Sequence, residues 1–218
     1  MIAVLGSELD GAARSLVDAW EGAGAVLLSA RDLCTRGWVF HATSDDDGAF
    51  VAGGVRRPAA TLRGVVVRRP AVAAEELPWI AAEDRQYVAT EINAFLVAWL
   101  SALPCPVLNR PSATSLCGPA WSQTYWKVAA ARADVAWAED PVGPDAVEEI
   151  VFCSGLHHGV ASKRQRRAAS RLSAVSGAEL LGVQFAGDAV AAVTLQPRLA
   201  EQGVRDLVLA RLAGELAA

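Results

Sequence analysis

No apolar run in the sequence approaches the roughly 20 residues that a membrane-crossing helix needs. The longest candidate, residues 92–103, is short and follows acidic residues. The opening MIAVLGSELDGAAR carries no basic region ahead of its apolar run, unlike a signal peptide. A soluble cytoplasmic protein is therefore expected, with no membrane partner. Positive charge is also not in excess. The net charge of −4 argues against a general nucleic-acid binder. Cysteine is sparse: Cys34, Cys105, Cys117 and Cys153 include no CxxC pair, so they read as reduced, buried thiols. There is no GxSxG elbow, no glycine-rich phosphate loop and no internal repeat.

What is present is apolar material. Hydrophobic residues make up 53% of the 218 and charged residues 20%, enough for a packed core and against disorder. Mean hydropathy is +0.26. Either alanine inflates that average, or the chain buries surface in an oligomer or hetero-complex.

The pattern along the chain predicts an α/β protein. Residues 2–5 read as a buried strand, 9–20 as an amphipathic helix and 25–29 as a second strand, the rhythm of a parallel βαβ unit. Residues 38–43 and 49–52 read as strands joined by the acidic turn SDDDG. LRGVVVR, 62–68, has the continuous β-branched centre of a strand buried on both faces. A helix over 82–103 follows, ended by Pro104 and Pro106, then the turn-rich NRPSATSLCGPAW and a helix over 125–132. EIVFC reads as a strand, 162–175 as a basic helix, 180–185 and 189–195 as a hairpin around AGD, and 200–216 as the last helix.

Four groups of residues are candidates for chemistry. Arg68 and Arg69 lie at the carboxyl end of a central strand, where open α/β sheets place ligands. With Asn109 and Arg110 they form a polar cluster that reads either as a partner- or peptide-binding edge or as loop capping. Trp121 and Trp126 read either as interface anchors or as core. The run SKRQRRAASR offers Lys163, Arg164, Arg166 and Arg167 as a solvated helix face or a phosphate site. CSGLHH gathers Cys153, His157 and His158, which would need a further ligand such as His41 or Asp188 to make a metal site; a turn is the simpler reading.

Three stretches together resemble ATP-grasp enzymes of the RimK-like and graspetide, microviridin-type peptide ligases. They are GVVVRRP, DRQYVATEINAFLVAWLSAL, and PVLNRPSA followed by YWKVAAARADV. ELLGVQFAGDAVAAVTLQP and EQGVRDLVLARLAGEL resemble the end of the same fold. The resemblance implies a pre-ATP-grasp-like, Rossmann-like parallel sheet over 1–112. A reduced ATP-grasp-like α+β region over 113–218 would follow it. It also implies where ligase machinery should sit. Ligases of this type transfer a phosphoryl group through magnesium held by carboxylates. The matching positions hold Gln184, Thr194 and Gln196, all uncharged. The early lysine position falls near Ser122, with Lys127 on another turn. The interval after Val135 is too short for a full nucleotide-covering subdomain.

The resemblance therefore implies a pseudo-ligase: a non-catalytic accessory protein that binds a substrate peptide or partner enzyme and needs no cofactor. The alternative is a minimal ATP- and magnesium-dependent carboxylate–amine ligase, with Asp188 or Glu201 on the metal and Lys163, Arg164, Arg166 or Arg167 on phosphate. A metal-dependent enzyme built on CSGLHH is the third reading.

Overall fold

A computed structural model describes residues 1–41, 48–139 and 149–215. The chain divides into two compact units, Met1–Cys117 with Leu212–Gly214, and Gly118–Arg211 with the residues from Glu215 on. The division falls five residues beyond the expected 112/113 boundary. The NRPSA loop packs back onto the first unit: the Leu116 N–H donates to Pro70 O (2.8 Å), and Leu116 and Cys117 join that unit's core.

In the first unit β1 (Ile2–Leu5), β2 (Ala25–Leu28), β5 (Gly64–Val67) and β6 (Val107–Leu108) form a parallel sheet in the order β2-β1-β5-β6. β1 and β5 are buried along their whole length, as their unbroken apolar runs predicted. Helix α1 (Gly11–Ala19) starts at Asp10, whose carboxylate accepts the Ala12 N–H at 2.9 Å, and buries Ala13 and Leu16. Short α2 (Ala30–Leu33) is closed by a Ser29–Asp32 capping box. Helix α3 (Arg85–Ala102) buries Ala89, Ile92, Leu96, Trp99 and Leu100. Trp38, Phe50, Phe95 and Trp99 stack around it, with Trp38 edge-on to Trp99 at 5.2 Å.

One pairing differs from expectation. β3 (Ala49–Ala52) pairs with β4 (Val55–Pro58), which follows it, and not with a strand at 38–43. Gly53 and Gly54 both take positive φ, 61° and 72°, the two left-handed positions of a primed hairpin turn. Among the described residues the expected pairing is represented by an isolated Val39–Ala49 bridge. The acidic turn 44–47 lies outside the described residues.

The second unit opens with α4 (Gln123–Arg132). Strands β7 (Glu149–Cys153), β8 (Leu156–His158), β9 (Leu180–Ala186) and β10 (Ala189–Thr194) make an antiparallel sheet ordered β10-β9-β7-β8. Helix α5 (Lys163–Ser176) lies between β8 and β9 in sequence, and α6 (Gln202–Leu212) follows β10. Ser162 and Gln165 form a capping box at the start of α5, and Gly177 (φ 69°) ends it. One sheet face packs Ile150, Phe152, Leu181, Val183 and Phe185 against Trp126, Ala130, Ala168 and Leu172. The register puts Glu149, Gln184, Ala192, Gly182 and Thr194 on the opposite face. No helix among the described residues is long and apolar enough to cross a membrane.

Candidate functional site

At the carboxyl end of the parallel sheet the polar cluster is engaged by the fold. Arg69 is buried. It donates through Nε to Ala71 O (2.9 Å) and through Nη1 to Gly6 O (3.3 Å), and it pairs with Glu76. Burial lowers its pKa to about 10, so it stays charged near neutrality. It ties the loop after β5 to the end of β1. Arg110 donates to Leu100 O, Ser101 O, Leu103 O and Cys105 O at 3.1–3.3 Å, closing the open carbonyl end of α3. Asn109 is buried and Arg68 half-buried. Of the two sequence readings, capping is the one this geometry fits for Arg69 and Arg110.

Beside them is a cavity of about 360 Å³, walled by Pro70, Ala71, Asn93, Val97, Thr114 and Ser115. Asn93 fixes one wall by exchanging hydrogen bonds with both backbone groups of Val72, at 2.8 and 2.9 Å. The cavity is lined by apolar and hydroxyl groups without charge, a chemistry suited to an uncharged or peptide-like ligand.

Among the tryptophans the structure makes a division. Trp126 is 2% exposed and belongs to the second unit's core, so it is corrected from contact residue to core residue. Trp121 is half-buried and lies edge-on to it at 4.8 Å. The large hydrophobic residues of α4 that do face outward are Tyr125 and Val128, 56% and 46% exposed. Sequence reading passed over both because neither stands out without the helix phase.

The sheet face bearing the positions that the sequence resemblance assigns to metal is the next candidate. Gln184 and Thr194 share it, flanking Ala192. The Thr194 hydroxyl accepts the Gln196 N–H at 3.1 Å. The face also carries a carboxylate that sequence reading missed: Glu149, opposite Gln184 on β7. Its Oε1 accepts the Arg198 N–H at 2.7 Å. Gly182 leaves room for it, since a Cβ there would lie 2.7 Å from the Glu149 carboxyl carbon. The donor set is thus two amides, one hydroxyl and one carboxylate already accepting a hydrogen bond. Magnesium clamped between phosphates needs more negative charge than this, so the set does not fit the group. The carboxylates named for the minimal ligase are held elsewhere. Asp188 accepts from Ser162 Oγ (2.8 Å) and pairs with Arg164, while Glu201 meets His158 Nε2 at 2.9 Å.

The basic helix is rearranged by its own period. Arg164, Arg167 and Arg171 fall at i, i+3 and i+7 and line a cavity of about 230 Å³ with Asp134, Val135 and Asp188. Lys163 and Arg166 lie outside that lining, and Arg166 caps Ala161 O at 3.0 Å. Arg171 and Asp134 were not among the sequence candidates. A helical reading of the run would have found the first, whereas Asp134 sits in a left-handed turn (φ 53°) with no sequence signature.

The CSGLHH segment is a hairpin turn. Ser154 and Gly155 take φ of 48° and 82°, and Cys153 pairs with Leu156 across β7 and β8. The Ser154 hydroxyl donates to Glu179 (2.7 Å), and Arg211 donates to both. His157 opposes Phe152 while His158 opposes Val151, so the two imidazoles point to opposite faces. Cys153 is buried, and burial pushes its thiol up to about 11. The three residues named as ligands therefore do not converge. No group of three or more metal-ligating side chains forms among the described residues. His41, the proposed fourth ligand, is exposed in the other unit.

No family model and no curated protein matches the sequence. Solved structures do match. The ATP-grasp ligase PsnB complexed with a minimal precursor superposes with a TM-score of 0.63 at 12% identity, over 96% of this chain and 98% of that one. The macrocyclase MdnC from Microcystis aeruginosa MRC, bound with precursor peptide MdnA, gives 0.67 at 8% identity, over 96% and 98%. A RiPP-associated ATP-grasp ligase from Chryseobacterium gregarium, in complex with ADP and a leader and core peptide, gives 0.63 at 9% identity, over 99% and 97%. The chain has the ATP-grasp ligase fold, and the likeness includes its C-terminal unit.

Proposed function

We propose that this chain, with the fold of RiPP-associated ATP-grasp ligases, is a non-catalytic member of a peptide-modification pathway. It binds a substrate peptide or the partner enzyme that modifies it. The observation that supports this reading is the donor set of the second sheet: Gln184, Thr194 and Gln196, the positions that the sequence resemblance assigns to magnesium, are uncharged. Between α4 and β9 the described residues hold a hairpin and α5. PsnB and MdnC were solved with precursor peptides, which supports a peptide as the ligand. The uncharged cavity beside Asn93, the half-buried Trp121 and the outward Tyr125 and Val128 are the candidate contacts. Under this reading the chain needs no cofactor and works in a complex.

Calorimetry with Mg²⁺–ATP, and with Mg²⁺–ADP, tests it. No heat of binding is expected. Micromolar binding of either nucleotide would overturn the pseudo-ligase reading.

One observation favours a second reading, a minimal ATP-dependent carboxylate–amine ligase. Glu149 places a carboxylate on the metal face from a different strand. If nucleotide binding is found and Glu149→Gln abolishes it, this reading replaces the first.

A further inference from the structure

The cavity beside α5 is lined by two of the four cations, Arg164 and Arg167, that the minimal-ligase reading offers to phosphate. α5 packs Ala168, Ala169 and Leu172 against the apolar face of the second sheet. The cavity therefore lies on the opposite side of that sheet from Gln184, Thr194 and Glu149.

Its cations are not equivalent. Arg171 is fixed at one end: Nη1 donates to Asp134 O (2.6 Å), Ala133 O (3.2 Å) and Asp134 Oδ2 (3.0 Å). Arg164 is held loosely at the other, 3.5 Å from Asp188, with its side chain 84% exposed. Arg167 lies between them, exposed, and makes no ion pair or hydrogen bond among the described residues. Three arginines against two aspartates leave the lining at 3 − 2 = +1. The floor is apolar, built by Val135, Ala136 and Ala168. The N-terminal end of α5 adds its own positive potential beside Arg164.

Two of the three cations are paired with aspartates, Arg164 with Asp188 and Arg171 with Asp134, and Arg167 lines the same concave space without a paired acid. A guanidinium over an apolar floor matches the planar geometry of an oxyanion, which it grips by two parallel N–H donors. The volume suits one such group and not a nucleotide.

We infer that the cavity formed by Arg164, Arg167 and Arg171 with residues 134–136 is an oxyanion-binding site. It takes the carboxylate of an acidic peptide side chain or a free phosphate.

The test is calorimetry of the full chain at low ionic strength with two probes. One is a hexapeptide blocked at both ends and carrying two adjacent glutamates; the other is inorganic phosphate. Each is repeated on Arg167→Gln, and on Arg36→Gln, an exposed arginine of the first unit, as control. Salt-sensitive binding is expected to weaken roughly tenfold in Arg167→Gln and to be unchanged in Arg36→Gln. If only the peptide behaves this way, the source is an acidic segment; if only phosphate does, it is the free anion. Either supports the site. Absence of binding by both probes overturns it, as does equal weakening in the control or binding indifferent to Arg167→Gln. Arg167 makes no contact that folding needs, so the variant's melting temperature is expected to match the parent's. Nucleotide binding on the far face of the sheet would sink the pseudo-ligase reading and leave this one standing.

Discussion

The first unit and the second use arginine in opposite ways. Arg69 and Arg110 in the parallel-sheet unit are turned inward onto carbonyl oxygens and Glu76, stitching loops and closing a helix end. Arg164 and Arg167 on α5 face outward, and one has no protein partner among the described residues. In sequence both groups are short basic runs beside small residues. What separates them is where each falls on its element. RRP lies at the buried end of a central strand, whereas the α5 run lies on the free side of an amphipathic helix. Charge in a sequence therefore marks a ligand site only once the fold has failed to use it.

The comparison extends to the tryptophans, and the largest expected effect tests it there. Trp126→Ala should destabilise the second unit by about 3–5 kcal/mol, whereas Trp121→Ala should cost clearly less. Urea denaturation followed by circular dichroism would measure both. Equal losses would put Trp121 in the core as well.

Arg69→Ala should cost about 2–4 kcal/mol in the same assay, because it strands Glu76 and the buried Gly6 carbonyl. A loss under half a kcal/mol would mean that the stitch is ornamental and that Arg69 is available for a ligand after all.

A third test uses pH. The Cys153 thiol is raised by burial to about 11, above its unfolded value near 9. Its contribution is therefore fully present below pH 9 and is lost as the pH rises to 11, where the unfolded chain ionises first. The loss is up to about 2–3 kcal/mol. Cys153→Ala should flatten the alkaline limb of the stability curve, and iodoacetamide at pH 8 should label exposed Cys34 well before Cys153.

The smallest effect sharpens the opening contrast most. Arg167→Gln should change stability by less than about 0.5 kcal/mol. A larger loss would show that α5 uses its arginines as the first unit does.

Much of the fold was legible in the sequence. Unbroken apolar runs fixed the places of β1 and β5, and the prolines at 104 and 106 bounded α3 closely. The 49–52 strand was assigned to the wrong partner because a Gly-Gly pair outweighs the longer acidic linker as a turn former. The site was less legible. The uncharged residues at 184, 194 and 196 could be read directly. Glu149 could not, since a strand's first residue reveals its face only when the register with β9 is known. The α5 quartet was chosen by adjacency in sequence, and the helical period selects a different trio.

Gly182 carries a consequence for anyone who would build a cation site on this sheet face. A glycine inside a strand weakens it, yet this one is the floor over which the Glu149 carboxylate lies. Placing acids at 184 and 194 would set three negative charges in one small space. They would repel one another until a cation arrived or one took up a proton. Gly182 is what lets the Glu149 carboxylate lie across the neighbouring strand, where it accepts the Arg198 N–H.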